Sequence, residues 1–245
     1  MEDEKIELDL HEASSKFGKF QKYLGEFVYG GIDGSVTTFA VVAGSVGAEF
    51  STTIIIVLGF ANLLADGFAM SVGNYLSTKS EHDNYDKHEK LEYWEIENLR
   101  EKEIEEIREI YVAKGFEGEL LEQVVDVIIS DNKVWVDTMM KEELDMIKDS
   151  RSPYKTALVT YLAFIVIGII PLLAYVLDYF DSTKIANLFL TSSILTSLSF
   201  MIVGYMKSYV NDTNKIKGVL ETVLLGGAAA AMSYFVGDFL KEIIQ

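Results

Sequence analysis

Long apolar runs alternate with strongly polar stretches along this chain of 245 residues. An apolar helix of about 20 residues is long enough to cross the roughly 30 Å hydrocarbon core of a bilayer. Such runs occur at residues 27–48, 52–77, 154–177, 185–205 and 218–240. The loop between the first two runs is so short that they must form a hairpin. The pattern therefore predicts an all-α, polytopic membrane protein with five transmembrane helices.

The stretch between the second and third spans, residues 78–152, is highly charged but has helical periodicity. A first helix is expected to continue without interruption from the second span and to end near Gly115. A second helix, residues 117–130, carries apolar residues at core spacing. Ser130-Asp131-Asn132 supplies capping residues for a third helix, which is expected to run to about Lys148. We therefore predict a three-helix insert whose apolar faces pack into a small bundle.

Most of the negative charge lies in this insert. The whole chain has a net charge of −17, and residues 79–151 contain 22 acidic and 11 basic residues, a net charge of −11. An acidic surface repels phosphates and attracts cations, so we expect no nucleic-acid partner. The chain has no cysteine, which excludes thiolate metal sites and cysteine nucleophiles.

Lysines in the short loops predict the orientation in the bilayer. Lys207, Lys215 and Lys217 share the turn after the fourth span, whereas the turns on the other side hold only Lys184 and Lys241. The positive-inside rule places the N-terminus, the insert and the Lys207 turn in the cytoplasm and the C-terminus outside. We expect a multi-pass protein of the plasma membrane in a prokaryote and of a vacuolar-type membrane in a eukaryote.

The N-terminal segment is acidic and lacks the apolar centre of a signal peptide. It is expected to lead into an amphipathic helix near Phe17, Phe20 and Tyr23. Four segments follow from these patterns: a tail, two spans, an acidic metal-binding domain and three further spans. Their predicted bounds are residues 1–26, 27–77, 78–152 and 153–245.

Acidic and soft-ligand side chains lie inside the first two spans. Asn62, Asp66, Met70 and Asn74 are spaced by four residues, so they form one slowly turning stripe on a helix. Asp33 of the first span and Met70 both lie roughly 9 Å inside the same membrane face. Ionisable residues at such depth are expensive and indicate function, and a carboxylate with a thioether suits a transition metal. The alternative is that Met70 is ordinary core and Asp33 caps a kink.

Small residues and prolines predict how the spans pack. Gly30 and Gly34 have the spacing that lets membrane helices approach closely. We therefore predict a homodimer that uses this glycine face and the polar stripe of the second span. Pro171 lies inside the third span and should kink it. The hydroxyl residues of the fourth span are expected to be packing surface.

Glutamates of the insert recur three residues apart, a spacing that places them on one helix face. Glu92 pairs in this way with Glu95 and Glu103 with Glu106, and Glu109 follows three residues later. Such pairs can bind divalent cations through oxygen, although glutamate-rich helices are commonly just solvated faces. Binding of this kind is expected to weaken at about pH 4 to 5, where carboxylates titrate. The candidate ligands are Glu92, Glu95, Glu103, Glu106 and Glu109, with Glu142, Glu143 and Met146 on the third insert helix.

No enzyme signature accompanies these carboxylates. Di-iron enzymes of the ferritin type use Glu-x-x-His pairs on bundle helices. The chain has three histidines, and none follows a glutamate at that spacing. The residues three positions before them are Leu8, Lys79 and Tyr85. We expect neither catalysis nor an organic cofactor.

Taken together, several motifs resemble those of the vacuolar iron transporter family, and the match extends over nearly the whole chain. Any one of the motifs would be unspecific alone. They are Asp33-Gly34 and Ala43-Gly44 in the first span, Ala69-Met70 and Gly73-Asn74-Tyr75-Leu76 in the second, Trp135, Met139-Met140-Lys141 and Glu143-Leu144 in the insert, and Ile170-Pro171-Leu172 in the third.

The resemblance implies a homodimer that moves Fe²⁺, and often Mn²⁺, out of the cytosol in exchange for protons. It implies a membrane pathway through Glu26, Asp33 and Met70. It also implies that the cytoplasmic domain binds the metal at Glu92, Glu95, Glu103, Glu106 and Glu143, with Met146 where several members have an acid.

Two departures from the family pattern fall in the second span. Asn62 and Asn74 stand where iron-transporting plant members have glutamates, and Asp66 lies one turn after Asn62. We expect Asp66 to serve as the titrating group, the alternative being a hydrogen bond to a neighbouring helix. A membrane-anchored protein that senses or buffers metal without transport is the competing function.

Overall fold

The structure is a computed structural model that describes residues 22–180 and 185–244. The described residues contain helices and loops and no β-strand, as the sequence predicts. The lead-in expected at Phe17 and Phe20 lies outside them. The helices are α1 (Leu24–Gly47), α2 (Thr52–Asn98), α3 (Arg100–Ala113), α4 (Gly118–Ile129), α5 (Asn132–Glu142), α6 (Pro153–Gly168), α7 (Leu173–Phe180), α8 (Leu188–Val210) and α9 (Lys215–Ile244), with a 3₁₀ turn at Ile170–Leu172.

Five helical segments are long and apolar enough to cross a membrane, which confirms the number of spans predicted from the sequence. The fourth begins at Leu188 rather than at Ile185, because the Asn187 side chain accepts a hydrogen bond from the N–H of Leu190 and caps the helix. The segments are Leu24–Gly47, Thr52–Asn98, Pro153–Phe180, Leu188–Val210 and Lys215–Ile243.

The spans form one compact unit, to which the described residues up to Leu76 and from Arg151 onward belong. Within it α1 packs against α6, α8 and α9. A side chain at Gly30 would lie 2.6 Å from the carbonyl oxygen of Thr160, and one at Gly34 would meet the backbone of Phe164. The glycine face predicted to form a homodimer contact is therefore used within the chain, because it lets α1 approach α6.

Pro171 interrupts the third span as predicted. The helix breaks into α6, the 3₁₀ turn and α7 around it, since proline cannot donate a backbone hydrogen bond. The Ser192 hydroxyl of α8 donates to the Pro171 carbonyl at 2.6 Å. Another α8 hydroxyl, Ser199 Oγ, lies 2.9 Å from Ser35 Oγ of α1. The hydroxyl residues of α8 thus serve packing, as expected.

The membrane part of α2 lies along α6. Ser71 Oγ donates to the Ala157 carbonyl at 2.8 Å, and the buried Leu63 side chain covers Gly168. These contacts hold α2 in register with α6, which in turn contacts α1.

The second compact unit is the insert, Ser77–Ser150. Its core contains Trp135, Met139 and Met140, all fully buried, and Ile107 of α3. The turn after α3 uses Gly115 at φ 91°, as its position in the sequence predicts. Asp131 caps α5 by accepting from two backbone N–H groups, also as predicted.

The third insert helix ends earlier than predicted, at Glu142 rather than near Lys148. The chain turns through Asp145, at φ 52°. The N–H of Met146 then donates to the Met140 carbonyl at 2.8 Å, which closes this turn. This turn packs Met146 against the core of the insert, and that packing favours the early end.

Candidate metal centre and membrane site

A break between α2 and α3 creates the carboxylate cluster of the insert. The sequence predicts one continuous helix here, and that prediction is wrong: Leu99, at φ −125° and ψ 31°, separates the two helices. The Asn98 side chain donates to the Trp94 carbonyl at 2.7 Å, a local bond that competes with helix continuation. Arg100, the first residue of α3, packs over the Trp135 ring at 4.9 Å.

The break brings distant glutamates together. On an unbroken helix, Glu92 and Glu103 would be about 16 Å apart along the axis. In the structure, carboxylate oxygens of Glu92, Glu95 and Glu103 all lie within 4.8 Å of one another. Glu92 is 3% exposed and Glu103 is 1% exposed, so these two residues do not belong to a solvated face.

Burial and mutual repulsion disfavour ionisation of the cluster. Loss of water, then the charges of Glu143 and Glu95, raise the pKa of Glu92 to about 7. Loss of water, then the charges of Glu106 and Glu95, raise the pKa of Glu103 to about 7. The pKa of Glu143 is raised by the same two effects, with Glu106 as the strongest neighbouring charge. Five carboxylates therefore act on one another.

Two oxygen atoms of the cluster have no hydrogen-bond partner. They are Oε2 of Glu92 and Oε2 of Glu103, both buried, and neither is satisfied by any residue that the structure describes. A buried, unpaired carboxylate oxygen is costly. A divalent cation would supply the missing charge and the missing ligand contact for both.

Three other predicted ligands are not drawn into the cluster. Glu142 pairs with Lys114 at 2.6 Å, and that hydrogen bond lowers its pKa. Glu109 is exposed on α3, and Met146 packs against the apolar core. Glu106 lies beside the cluster, where its charge acts on Glu103, and its Oε1 accepts a hydrogen bond from Lys102 at 2.6 Å.

In the membrane unit, two carboxylates form the centre of the candidate site. Asp33 lies on α1 and Asp66 on α2, and both helices can span a membrane. Asp33 is half-buried and lines a cavity of about 480 Å³ beside α1, whereas Asp66 is exposed. Because α1 continues through Asp33 without a break, this carboxylate does not cap a kink.

Contacts with α6 show which residues of α1 and α2 lie at the same level along the bundle. Thr160 marks one level, where its carbonyl meets Gly30 and its hydroxyl accepts from Asn74 Nδ2 at 2.6 Å. Asn74, one of the two departures from the family pattern, is thus held by a neighbouring helix.

Phe164 marks the next turn of α6. It meets Gly34 of α1 and Gly67 of α2. Asp33 and Met70 both fall between this level and that of Thr160, in agreement with the common depth calculated from the sequence. Met70 is half-buried and is not a fully packed core residue.

Asn62, the other departure, lies two turns before Met70 on α2. Its side-chain Nδ2 is buried and has no hydrogen-bond partner among residues 22–180 and 185–244. The stripe predicted from the sequence therefore carries one bonded amide, one unsatisfied amide and one exposed carboxylate.

Glu26 is neither solvated nor free. It is 7% exposed, and its Oε1 accepts from Nη1 of Arg151 at 2.6 Å. Next to this pair, the N–H of Ser152 donates to the Tyr23 hydroxyl at 3.1 Å. Sequence reasoning missed Arg151, because 125 residues separate it from Glu26 and no local pattern joins them. A cation that binds Glu26 must compete with this guanidinium.

Comparison with known proteins gives a consistent assignment. The sequence model of the VIT family matches residues 24–238. The chain is similar to a vacuolar iron transporter of Toxoplasma gondii, with 34% identity over 228 residues, covering 91% of this chain and 76% of that protein. A vacuolar iron transporter of Plasmodium falciparum is 33% identical over 97% of this chain and 89% of its own length. Vacuolar iron transporter 1 of Eucalyptus grandis is 32% identical over 85% of this chain and 83% of its own length. With five helices that can span a membrane and a family match over most of its length, the chain belongs to the VIT family.

Proposed function

We propose that this protein exports Fe²⁺ or Mn²⁺ from the cytosol in exchange for protons. The observation that carries the proposal is that two carboxylates, Asp33 and Asp66, lie in helices that can span a membrane. Carboxylates at such depth are costly, and a role in ion movement accounts for their presence. The names of the three relatives support iron as a substrate.

The insert would collect the metal before transport. Glu92, Glu95 and Glu103 offer hard oxygen ligands, which suit Fe²⁺ and Mn²⁺ and do not by themselves select between them. Met70 adds a soft thioether at the level of Asp33, which favours Fe²⁺ over Mg²⁺ or Ca²⁺ in the membrane.

Proton exchange would take place at Asp66. A carboxylate can hold a proton or contribute to a metal site, and each occupant weakens binding of the other. Asp66 makes no hydrogen bond with the residues that the structure describes. The alternative, in which Asp66 is structural and bonds to a neighbouring helix, therefore has no bonding partner to support it. The inner end of the bundle, which holds Tyr23, Ser152 and Lys207, would face the cytoplasm.

A second copy of the chain would complete the pathway. Asp66 is exposed on α2, and Ala69, one turn away on the same face, is exposed as well. A carboxylate facing lipid is unfavourable. We therefore propose a homodimer that covers this face of α2, in place of the glycine face of α1.

Reconstituted liposomes containing a metal-quenched dye test the transport proposal. Asp33→Ala and Met70→Ala should each abolish or strongly reduce quenching by external Fe²⁺ or Mn²⁺. Met201→Ala, on an exposed position of α8, is the matched control and should transport normally. Near-normal uptake by both pathway variants would remove Asp33 and Met70 from the route.

Metal sensing or buffering without transport is the second candidate function. It is favoured by one observation, namely that the glutamate cluster is assembled within the insert. A sensor would bind metal with wild-type affinity and show no flux in the same liposomes. Neither candidate requires catalysis or an organic cofactor.

A further inference from the structure

The turn between α8 and α9 encloses a polar cavity of about 240 Å³. Its lining includes two lysines, Lys207 and Lys217, together with the amide side chains of Asn211 and Asn214. The Asn214 oxygen is occupied by the N–H of Lys217, at 3.1 Å. The cavity is therefore rich in hydrogen-bond donors and positive charge, and suits an anion.

The two lysines are only weakly compensated. Lys207 is half-buried and makes no ion pair with residues 22–180 or 185–244. Lys217 reaches Glu221 at 3.9 Å, and both side chains are more than half exposed, so solvent screens their attraction. Glu221 is the one acidic residue that lines the cavity.

An apolar groove lies next to this cavity. The space of about 480 Å³ beside α1 shares Lys207 and Asn211 with the polar cavity. Between them and Asp33, the groove is lined largely by aliphatic side chains, among them Val28 and Val210. A charged cavity beside an apolar groove matches the amphipathic character of a phospholipid.

We infer that the two neighbouring cavities bind one anionic phospholipid. Its phosphate would lie between Lys207 and Lys217, where two ammonium groups and an amide can donate to it. One acyl chain would follow the groove along the first turns of α1. Basic pockets between membrane helices are suited to anionic headgroups, and the apolar groove distinguishes this site from one for free phosphate.

The position of the groove gives the lipid a further effect. Asp33 lines the far part of the same groove, so a bound acyl chain lies beside the candidate metal route. The bound lipid would exclude water from that side of α1. The inference itself does not depend on transport, because lipid binding is measured without metal.

Native mass spectrometry of the purified full-length protein tests the site. Detergent samples are titrated with dioleoyl phosphatidylglycerol or with dioleoyl phosphatidylcholine. Wild-type protein should prefer phosphatidylglycerol, and the double variant Lys207→Gln, Lys217→Gln should bind it about fivefold more weakly for each lysine removed. The matched double variant Lys79→Gln, Lys155→Gln changes the net charge equally outside the cavity and should keep wild-type affinity.

A third variant, Val210→Trp, fills the groove and should weaken phosphatidylglycerol binding while leaving the lysines in place. Unchanged melting temperatures establish that the variants are folded. Equal loss in both double variants, or equal affinity for the two lipids, would overturn the inference. Unaltered binding by Val210→Trp would contradict the placement of the acyl chain in the groove. Displacement of the lipid by inorganic phosphate alone would overturn the inference in favour of a site for free anions.

Discussion

Glu103 shows the energetic problem that the metal would solve. Its side chain is almost completely buried, and one of its oxygens has no partner in the described part of the chain. With its pKa raised to about 7 by loss of water and by neighbouring carboxylates, it is about half protonated at neutral pH. A divalent cation would displace the proton and supply the contact that this oxygen lacks.

Metal binding to the insert should therefore depend on pH near neutrality. The affinity for Mn²⁺ should rise steeply between about pH 6 and 8, because Glu92 and Glu103, with pKa values of about 7, must lose protons first. The sequence alone predicts this change at about pH 4 to 5, because burial cannot be read from glutamate spacing. Both tryptophans of the chain, Trp94 and Trp135, lie in the insert, so their fluorescence can follow binding in the full-length protein.

In this titration Glu103→Gln should weaken binding and flatten the pH dependence. Glu109→Gln, at an exposed position on the same helix, is the matched control. A wild-type affinity that stays constant from about pH 6 to 8 would contradict the buried cluster.

Without metal, the same groups should make stability depend on pH. Because folding raises the pKa of Glu103 from 4.5 to about 7, the folded state binds more protons than the unfolded state between these values. The free energy of unfolding of the metal-free insert should therefore fall as pH rises from about 4.5 to 7 and change little from this source above that range. Thermal unfolding of Glu103→Gln should show a weaker pH dependence than that of Glu109→Gln; indistinguishable profiles would argue against burial of Glu103.

At the scale of the helices, close approach of α1 and α6 depends on glycine. A Cβ at Gly34 would collide with the backbone of Phe164, whereas one at Gly73 meets nothing within 4 Å. Gly34→Ala should cost about 1 to 3 kcal/mol through overpacking, and Gly73→Ala should be nearly neutral or slightly stabilising. Melting temperatures of the two variants in detergent make the comparison, and equal values would contradict the tight α1–α6 contact.

The helices differ in how much of them the sequence could predict. The five spans follow from apolar length, because the bilayer imposes a minimum that few other segments satisfy. The Pro171 break and the Asp131 cap follow from local chemistry. The break at Leu99 does not, since Asn98 is only a weak signal and the packing of Arg100 on Trp135 is a tertiary contact.

The candidate site shows the same division. The i, i+3 spacing identified Glu92 with Glu95 and Glu103 with Glu106 as pairs. Only the fold shows that Glu92, Glu95 and Glu103 converge and that Glu142 is paired with Lys114. Ion pairs between residues distant in sequence, such as Glu26 with Arg151, have no local signature.

At the scale of the whole molecule, the exposed polar face of α2 predicts self-association. Ala69 lies one turn from Asp66 on this face and is exposed. The chain contains no cysteine, so Ala69→Cys provides a unique attachment point. A short bis-maleimide should link two copies through Ala69→Cys in mild detergent but not through Leu224→Cys on α9. Monomer alone from Ala69→Cys, or equal linking at both positions, would count against this interface.

The exchange of metal for protons is tested by recording both fluxes at the same time. Liposomes with an acidic interior, a pH indicator and a metal-quenched dye receive external Mn²⁺ or Fe²⁺. In the wild-type protein the interior should become alkaline in step with metal uptake, and Asp66→Asn should lose uptake driven by the pH difference. Metal uptake with no proton movement, or metal binding with no uptake, would contradict it.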